Sequence, residues 1–256
     1  ELMSLYLDEK EIPVSLMKEA IRSATISQGM VPVFCGSSLK NKGVQMLLDG
    51  IIDYLPSPLD VDKIKAYQKD GSEIDLNVKD KDLTALAFKV ATDPFVGKLI
   101  FVRIYSGKLK SKDQIYNPRT GKTERVGRLL RMHADRREDI EELGPGDLGA
   151  IIGAKSFTTG DTVTIKGNSF TLSRVVFPDP VISISLEPKK TADLDKLGES
   201  LSKLAEEDPS FKFSVDPETG QTVVSGMGEL HLEIIVSRLQ REFKLDTNVG
   251  RPKVSY

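Results

Sequence analysis

The chain has 256 residues, with 36 lysines and arginines against 38 aspartates and glutamates, a formal charge of −2 and a 39% hydrophobic composition. At about 150 residues per domain this is room for one to two domains, or three small ones, and the composition excludes wholesale disorder. One cysteine, Cys35, and two histidines, His133 and His231, exclude a disulfide framework and argue against zinc chemistry. No apolar run reaches the roughly 18 residues of a membrane span, and no basic start followed by an apolar stretch marks a secretory signal, so a cytosolic protein without membrane contact is expected.

Residues 13–25 read as a helix, with Val14, Met17, Ala20, Ile21 and Ala24 at helical spacing, and residues 30–35 read as a short buried strand. The loop Gly36 to Lys42 leads into a helix from about Gly43, with Val44, Leu47, Leu48, Ile51, Ile52 and Leu55 on one face. It stops at Pro56-Ser57-Pro58, where proline removes the donor needed to continue. Strand, loop and helix form one α/β unit, too small to stand alone, which reads as the last unit of a doubly wound domain. The sequence opens on Glu1 and closes on Val254-Ser255-Tyr256, and it is read as a piece of a longer chain.

From about residue 60 to 180 the hydrophobic period changes to two. Strands are expected at 84–92, 99–106, 114–117, 124–131, 148–154, 161–165 and 174–177. The turns between them are Asp93-Pro94, Ser106-Gly107, Pro118 to Gly121, Gly144 to Asp147 and Thr159-Gly160-Asp161. Closely spaced strands of this kind predict a small antiparallel β-barrel. This stretch carries +3, whereas residues 1–59 carry −2 and residues 181–256 carry −3. Between Lys98 and Arg137 stand twelve lysines and arginines against Asp113, Glu124 and Asp135, an electrostatic footprint for phosphate backbones, with a merely solvated barrel surface as the alternative.

The remainder reads as strand 181–187, helix 192–206, strands 211–215 and 221–225 joined through Asp216 to Gly220, helix 229–243, and strand 245–248. The order β-α-β-β-α-β is the ferredoxin-like α+β pattern. The expected whole is thus multidomain: an α/β tail, an antiparallel β-barrel, then a ferredoxin-like domain.

The sequence holds no Gly-x-x-x-x-Gly-Lys-[Ser/Thr], His-Glu-x-x-His or Gly-x-Ser-x-Gly motif. No catalytic constellation and no metal site are read. The acidic pairs Glu141-Glu142 and Glu206-Glu207 are taken as solvated carboxylates, because neighbours on a helix point apart. A strand ending in small residues before a helix does leave free amides near the helix N-terminus, suited to a carbonyl or phosphate oxygen.

The run Pro32 to Gln45 with Asp53 to Pro58, together with Arg128-Leu129-Leu130-Arg131-Met132-His133, Thr159-Gly160-Asp161-Thr162, Leu204-Ala205-Glu206-Glu207-Asp208-Pro209 and Gly220 to Ile234, resembles the elongation factor G family of translational GTPases. The resemblance spans essentially the whole chain. It implies that residues 1–59 are the tail of a P-loop GTPase domain, 60–180 the second-domain barrel, 181–249 the third domain and 250–256 the start of a fourth. Ser37, Ser38 and Leu39 would be the remnant of the guanine loop. Arg128, Arg131 and Arg136 would touch ribosomal RNA. His231, Ile235 and Arg238 share one helical stripe and would face the GTPase domain and the fusidic acid pocket.

The resemblance further implies a parent that uses GTP and magnesium to move tRNA and mRNA on the ribosome. The P-loop, both switches and the Asn-Lys-x-Asp base reader would lie elsewhere, leaving this stretch a monomeric ribosome-binding and signal-relay module without bound cofactor or GTPase activity. Two other readings share the pattern: a ribosomal protection protein of the tetracycline-resistance type, and a free-standing RNA-binding barrel. The latter is disfavoured because the barrel reads as lacking interleaved aromatics for base stacking, having Phe101, Tyr105 and Tyr116 but no tryptophan.

Overall fold

The computed structural model describes residues 2–60, 63–93, 96–134, 136–172 and 176–253. The chain divides into two compact units, 1–62 and 63–256.

The first unit holds helices α1 (Leu2–Leu7), α2 (Val14–Ile26) and α3 (Val44–Tyr54). α2 and α3 are tied by a Lys18–Asp53 ion pair and by Arg22, which donates to the carbonyl oxygens of Asp53 and Leu55 at 3.0 and 3.2 Å and to Asp60 at 2.6 Å. A cation at the last carbonyls of α3 is favoured by their partial negative charge. Phe34 packs on Gly50 so closely that a Cβ there would lie 2.3 Å from its ring. The strand expected at 30–35 does not form. Its residues are irregular, and no neighbouring strand among the described residues supplies the ladder that would hold them. For the same reason the apolar face of α3 stays open, and Gly50 is the one described residue of this unit that is buried.

Among the described residues the second unit opens with strands β1 (Ile64–Tyr67), β2 (Glu73–Leu76), β3 (Thr84–Asp93), β4 (Gly97–Ser106), β5 (Leu109–Lys110), β6 (Gln114–Asn117), β7 (Lys122–Arg125), β8 (Arg128–His133), β9 (Arg136–Ile140), β10 (Glu142–Leu143), β11 (Leu148–Ile152), β12 (Asp161–Thr164) and β13 (Thr171–Leu172). Eight form an antiparallel sheet in the order β7-β6-β12-β3-β4-β11-β8-β9, curled around one core of Ala85, Val90, Ile100, Val102, Ile104, Ile115, Leu129, Ile151, Phe157 and Val163. Sheets β13-β1-β2 and β10-β5 complete this β-barrel.

The strand expected at 124–131 is two strands, broken at Val126-Gly127, where the Gly127 amide donates to the Ile152 carbonyl at 2.8 Å and a Cβ would lie 2.9 Å from the same oxygen. The strand expected at 148–154 ends at Ile152, because Gly153 takes φ +99°. In the strand expected at 174–177, Arg174 and Val175 lie outside the described residues.

The ferredoxin-like domain comprises β14 (Ile182–Pro188), α4 (Leu194–Glu207), β15 (Lys212–Val215), β16 (Thr222–Gly226), α5 (Glu229–Phe243) and β17 (Thr247–Gly250). Its antiparallel sheet has the order β15-β16-β14-β17. Leu197, Leu201 and Leu204 of α4 and Leu232, Ile235 and Leu239 of α5 meet Leu186, Val224 and Phe211 in a second core, as the three-and-four spacing of those residues requires.

Candidate functional site

In the first unit the Gly36–Gly43 loop is closed on itself. Ser37 and Lys42 exchange both backbone hydrogen bonds, at 2.9 and 3.0 Å, and Asn41 donates to the Ser38 carbonyl at 3.1 Å. Asn41 and Gly43 adopt φ +49° and +77°, which turns the chain into α3. The amides of Ser38 and Leu39 have no acceptor among the described residues, and the Leu39 side chain is 95% exposed. Two adjacent open amides can donate to an acceptor oxygen.

On the barrel the three arginines singled out from the sequence do not form one patch. The β8–β9 register sets Leu129 opposite Ile140, Arg131 opposite Glu138 and His133 opposite Arg136. Arg131, His133 and Arg136 therefore share the face of Leu129, beyond the end of the core, while Arg128 points to the other side. Arg128 is engaged there by a bidentate pair to Asp139, at 2.9 and 2.7 Å, which holds the Asp139 carboxyl below its ordinary range. Arg131 and Arg136 make no ion pair among the described residues, and they are the open cations of this hairpin.

The His231, Ile235, Arg238 stripe is not a free face. Ile235 is 2% exposed and belongs to the domain core, since its i+4 step from His231 also sets it beside Leu232 and Leu239. His231 Nδ1 accepts the Met227 N–H at 3.1 Å, so Nε2 carries the proton and donates to Asp208 at 2.9 Å. Burial opposes ionisation of Asp208, but the hydroxyl and amide of Ser210, together with His231, outweigh it and hold its carboxyl below the usual value. Arg238 donates twice to Glu242, at 2.8 and 2.9 Å, and once to Glu207 at 2.7 Å. These bonds push the guanidinium further above its already high range, Glu242 contributing most and burial opposing.

Glu207 joins two domains. Its second oxygen accepts the backbone N–H of Thr92 on β3 at 2.5 Å, so one carboxylate at the end of α4 holds both the barrel and α5. Beside it, Lys98 of β4 lies 2.9 Å from Glu206 and donates to the Lys155 carbonyl at 2.9 Å. Glu207, with its side chain 13% exposed, is therefore not the solvated carboxylate expected from the pair's adjacency, whereas Glu206 stays half-exposed to solvent beside Lys98. Being neighbours lets them reach different partners. The sequence shows only the Leu204 to Pro209 run, because Thr92 and Lys98 lie more than a hundred residues away.

A cleft of about 600 Å³ opens between barrel and third domain beside this junction, lined in part by Arg119, Asp161, Phe177, Pro209 and Phe213. At its floor Asp161 accepts from Arg119 Nε and Nη2 at 2.6 and 2.8 Å, from Asn117 Nδ2 at 2.9 Å and from the Thr158 amide at 2.8 Å. Burial raises the Asp161 carboxyl, and these donors, Arg119 foremost, bring it net below the usual value.

Comparison with known proteins assigns the two domains of the second unit. Residues 177–251 match the family described as elongation factor G, domain III, and residues 97–164 match that described as elongation factor Tu domain 2. A crystal structure of a protein from Thermus thermophilus superposes with a TM-score of 0.76 at 29% sequence identity, covering 98% of this chain and 36% of that one. The chain thus spans about a third of the length of the solved structure it matches. With an elongation factor Tu-type barrel followed directly by an elongation factor G-type third domain, the second unit carries the domain pair of an elongation factor G-like fragment.

Proposed function

We propose that this chain is the part of a translocation-type elongation factor that docks on the ribosome and relays the nucleotide state between domains. The whole factor would couple GTP hydrolysis to movement of tRNA and mRNA in the cytoplasm. The open amides of Ser38 and Leu39 fit the guanine base, and no residue of this sequence forms the P-loop that would hold phosphates. GTP and magnesium are therefore assigned to the rest of the factor. Relay is assigned to the barrel–third domain junction, where Glu207 links α5 to β3 through two short bonds.

The observation that carries the docking reading is the pair Arg131 and Arg136, on one face of an exposed hairpin and without carboxylate partners among the described residues. Cations that touch phosphates release counterions, so affinity falls with salt by a slope of about 0.7 to 0.9 per contact. Arg131→Glu with Arg136→Glu is expected to weaken cosedimentation of the chain with ribosomes and to flatten the salt slope by about two contacts. Arg128→Glu, whose guanidinium is committed to Asp139, should change it less. Identical sedimentation of wild type and double variant across a salt series would make these arginines a solvated face and remove the reading.

A further inference from the structure

The outer face of the barrel carries an aromatic and cationic patch on β3 and β4, away from the Arg131–Arg136 face. Val102 and Ile104 point into the core, so Phe101 and Arg103 of the same strand point outward, while Tyr105, half-buried, packs on the cluster of Ile64, Ala66 and Leu172. Across the β3–β4 ladder Ala87 faces Val102 and Lys89 faces Phe101, which leaves Phe88 as an extra, bulged residue. The bulge brings its ring, 39% exposed, to 6.3 Å from that of Phe101. The Lys89 ammonium lies 5.8 Å over the Phe101 ring, and the Arg103 guanidinium 5.1 Å over Tyr105. Opposite Arg103 on β11 stands Leu148, 56% exposed, and Leu99, Leu130 and Ala150 form the apolar floor.

The charges here have one sign. Neither Lys89 nor Arg103 has a carboxylate partner among the described residues; each lies on a ring instead. The two acids at the rim are neutralised, Asp139 by Arg128 and Asp93 by Arg137. One exposed ring, Phe88, beside the half-buried Phe101 and between cations suits a ligand that is flat, apolar on its faces and anionic along its backbone. A duplex keeps its bases stacked and offers only phosphates, whereas an unpaired strand offers both surfaces.

We propose that this patch is a site for unpaired RNA, in which a splayed base lies on Phe88 against Phe101 while flanking phosphates meet Lys89 and Arg103. The proposal rests on the reading of the barrel as an RNA-docking domain and names how that domain takes a base. It also supplies the interleaved aromatics that the linear sequence hides, since Phe88 joins Phe101 only through the bulge.

The test is fluorescence anisotropy of the whole chain with a labelled single-stranded oligoadenylate of roughly 12 nucleotides, and with a blunt adenine–uracil duplex of the same length. Phe88→Ala is expected to weaken oligoadenylate binding about tenfold, the loss of one stacked base, and to leave duplex binding unchanged. Phe88→Tyr keeps the ring and should restore the affinity, and Arg103→Ala should weaken the single strand more than the duplex. Phe88 is exposed, so an unaltered thermal melt is expected for each variant.

Absence of oligoadenylate binding by the wild type, or equal losses for strand and duplex, would overturn the proposal. So would a concentration-dependent dimer abolished by Phe88→Ala, which would make the patch a contact between copies. Failure of ribosome cosedimentation with intact Phe88-dependent strand binding would remove the docking reading alone; cosedimentation with no effect of Phe88→Ala on oligoadenylate would remove the base site alone.

Discussion

Asp161 shows how much of the barrel's rigidity rests on one side chain. It is buried, and it takes hydrogen bonds from Asn117, Arg119 and Thr158, which come from the β6–β7 turn and the turn before β12. Arg119 keeps contact with solvent, but Asp161→Ala leaves the buried Asn117 amide and the Thr158 N–H without their acceptor, at a cost of about 1–3 kcal/mol, and is expected to lower unfolding free energy by that order in a urea titration. The carboxyl is held below its ordinary value of 3.8 in the folded state. Its contribution is therefore full above that pH and is lost as pH falls through the lower folded value. Wild type and Asp161→Ala should converge in stability in that acidic window, and parallel curves would show that the charge is not what holds the turn. The sequence marks Thr159-Gly160-Asp161 as a turn but not this role, because Asn117 and Arg119 lie some forty residues away. His231 is a parallel case. Its position on α5 follows from helical spacing, whereas its bonds to the Met227 amide and Asp208 depend on the neighbouring turn and on the end of α4.

The elements most legible in the sequence are those whose hydrophobic period is completed by their own domain. α5 runs over Glu229–Phe243 as its spacing predicts, and α4 and the barrel strands β3, β4 and β6 fall close to their expected ranges. The strand expected at 30–35 fails because a strand needs a neighbour, and the Phe88 bulge has no local signal because it arises from the register with β4. β9, Arg-Arg-Glu-Asp-Ile, shows no alternation at all; it forms as an edge strand held by the ladder to β8. The junction at the end of α4 gives the prediction at this scale. Glu207→Ala removes the acceptor shared by Thr92 and Arg238 while leaving both helices' core leucines in place. With spin labels at Lys122→Cys and Lys203→Cys, and the exposed Cys35 replaced by serine, the barrel-to-third-domain distance distribution should broaden relative to the parent. An unchanged distribution would mean that packing of α4 on β3 alone sets the angle.

Across the whole molecule, burial separates what stands by itself from what relies on more chain. The barrel and the third domain each enclose a continuous core. Residues 1–62 enclose none among those described, and α3 presents Leu47, Leu48, Ile51 and Ile52 to solvent. Nucleotide affinity at a loop of this kind comes mainly from phosphates held by a glycine-rich cradle and a metal, with the base contributing orientation. Here the open amides of Ser38 and Leu39 supply at most two hydrogen bonds to a base, each worth about 1 kcal/mol net, and the entropy of holding the ligand opposes them. Titration of this chain with a fluorescent GTP analogue is therefore expected to show no saturable binding in the micromolar range, and incubation with GTP no phosphate release above a buffer blank. Micromolar binding would require phosphate ligands that the sequence motifs do not contain, and the assignment of residues 1–59 to the tail of a GTPase domain would fall with it.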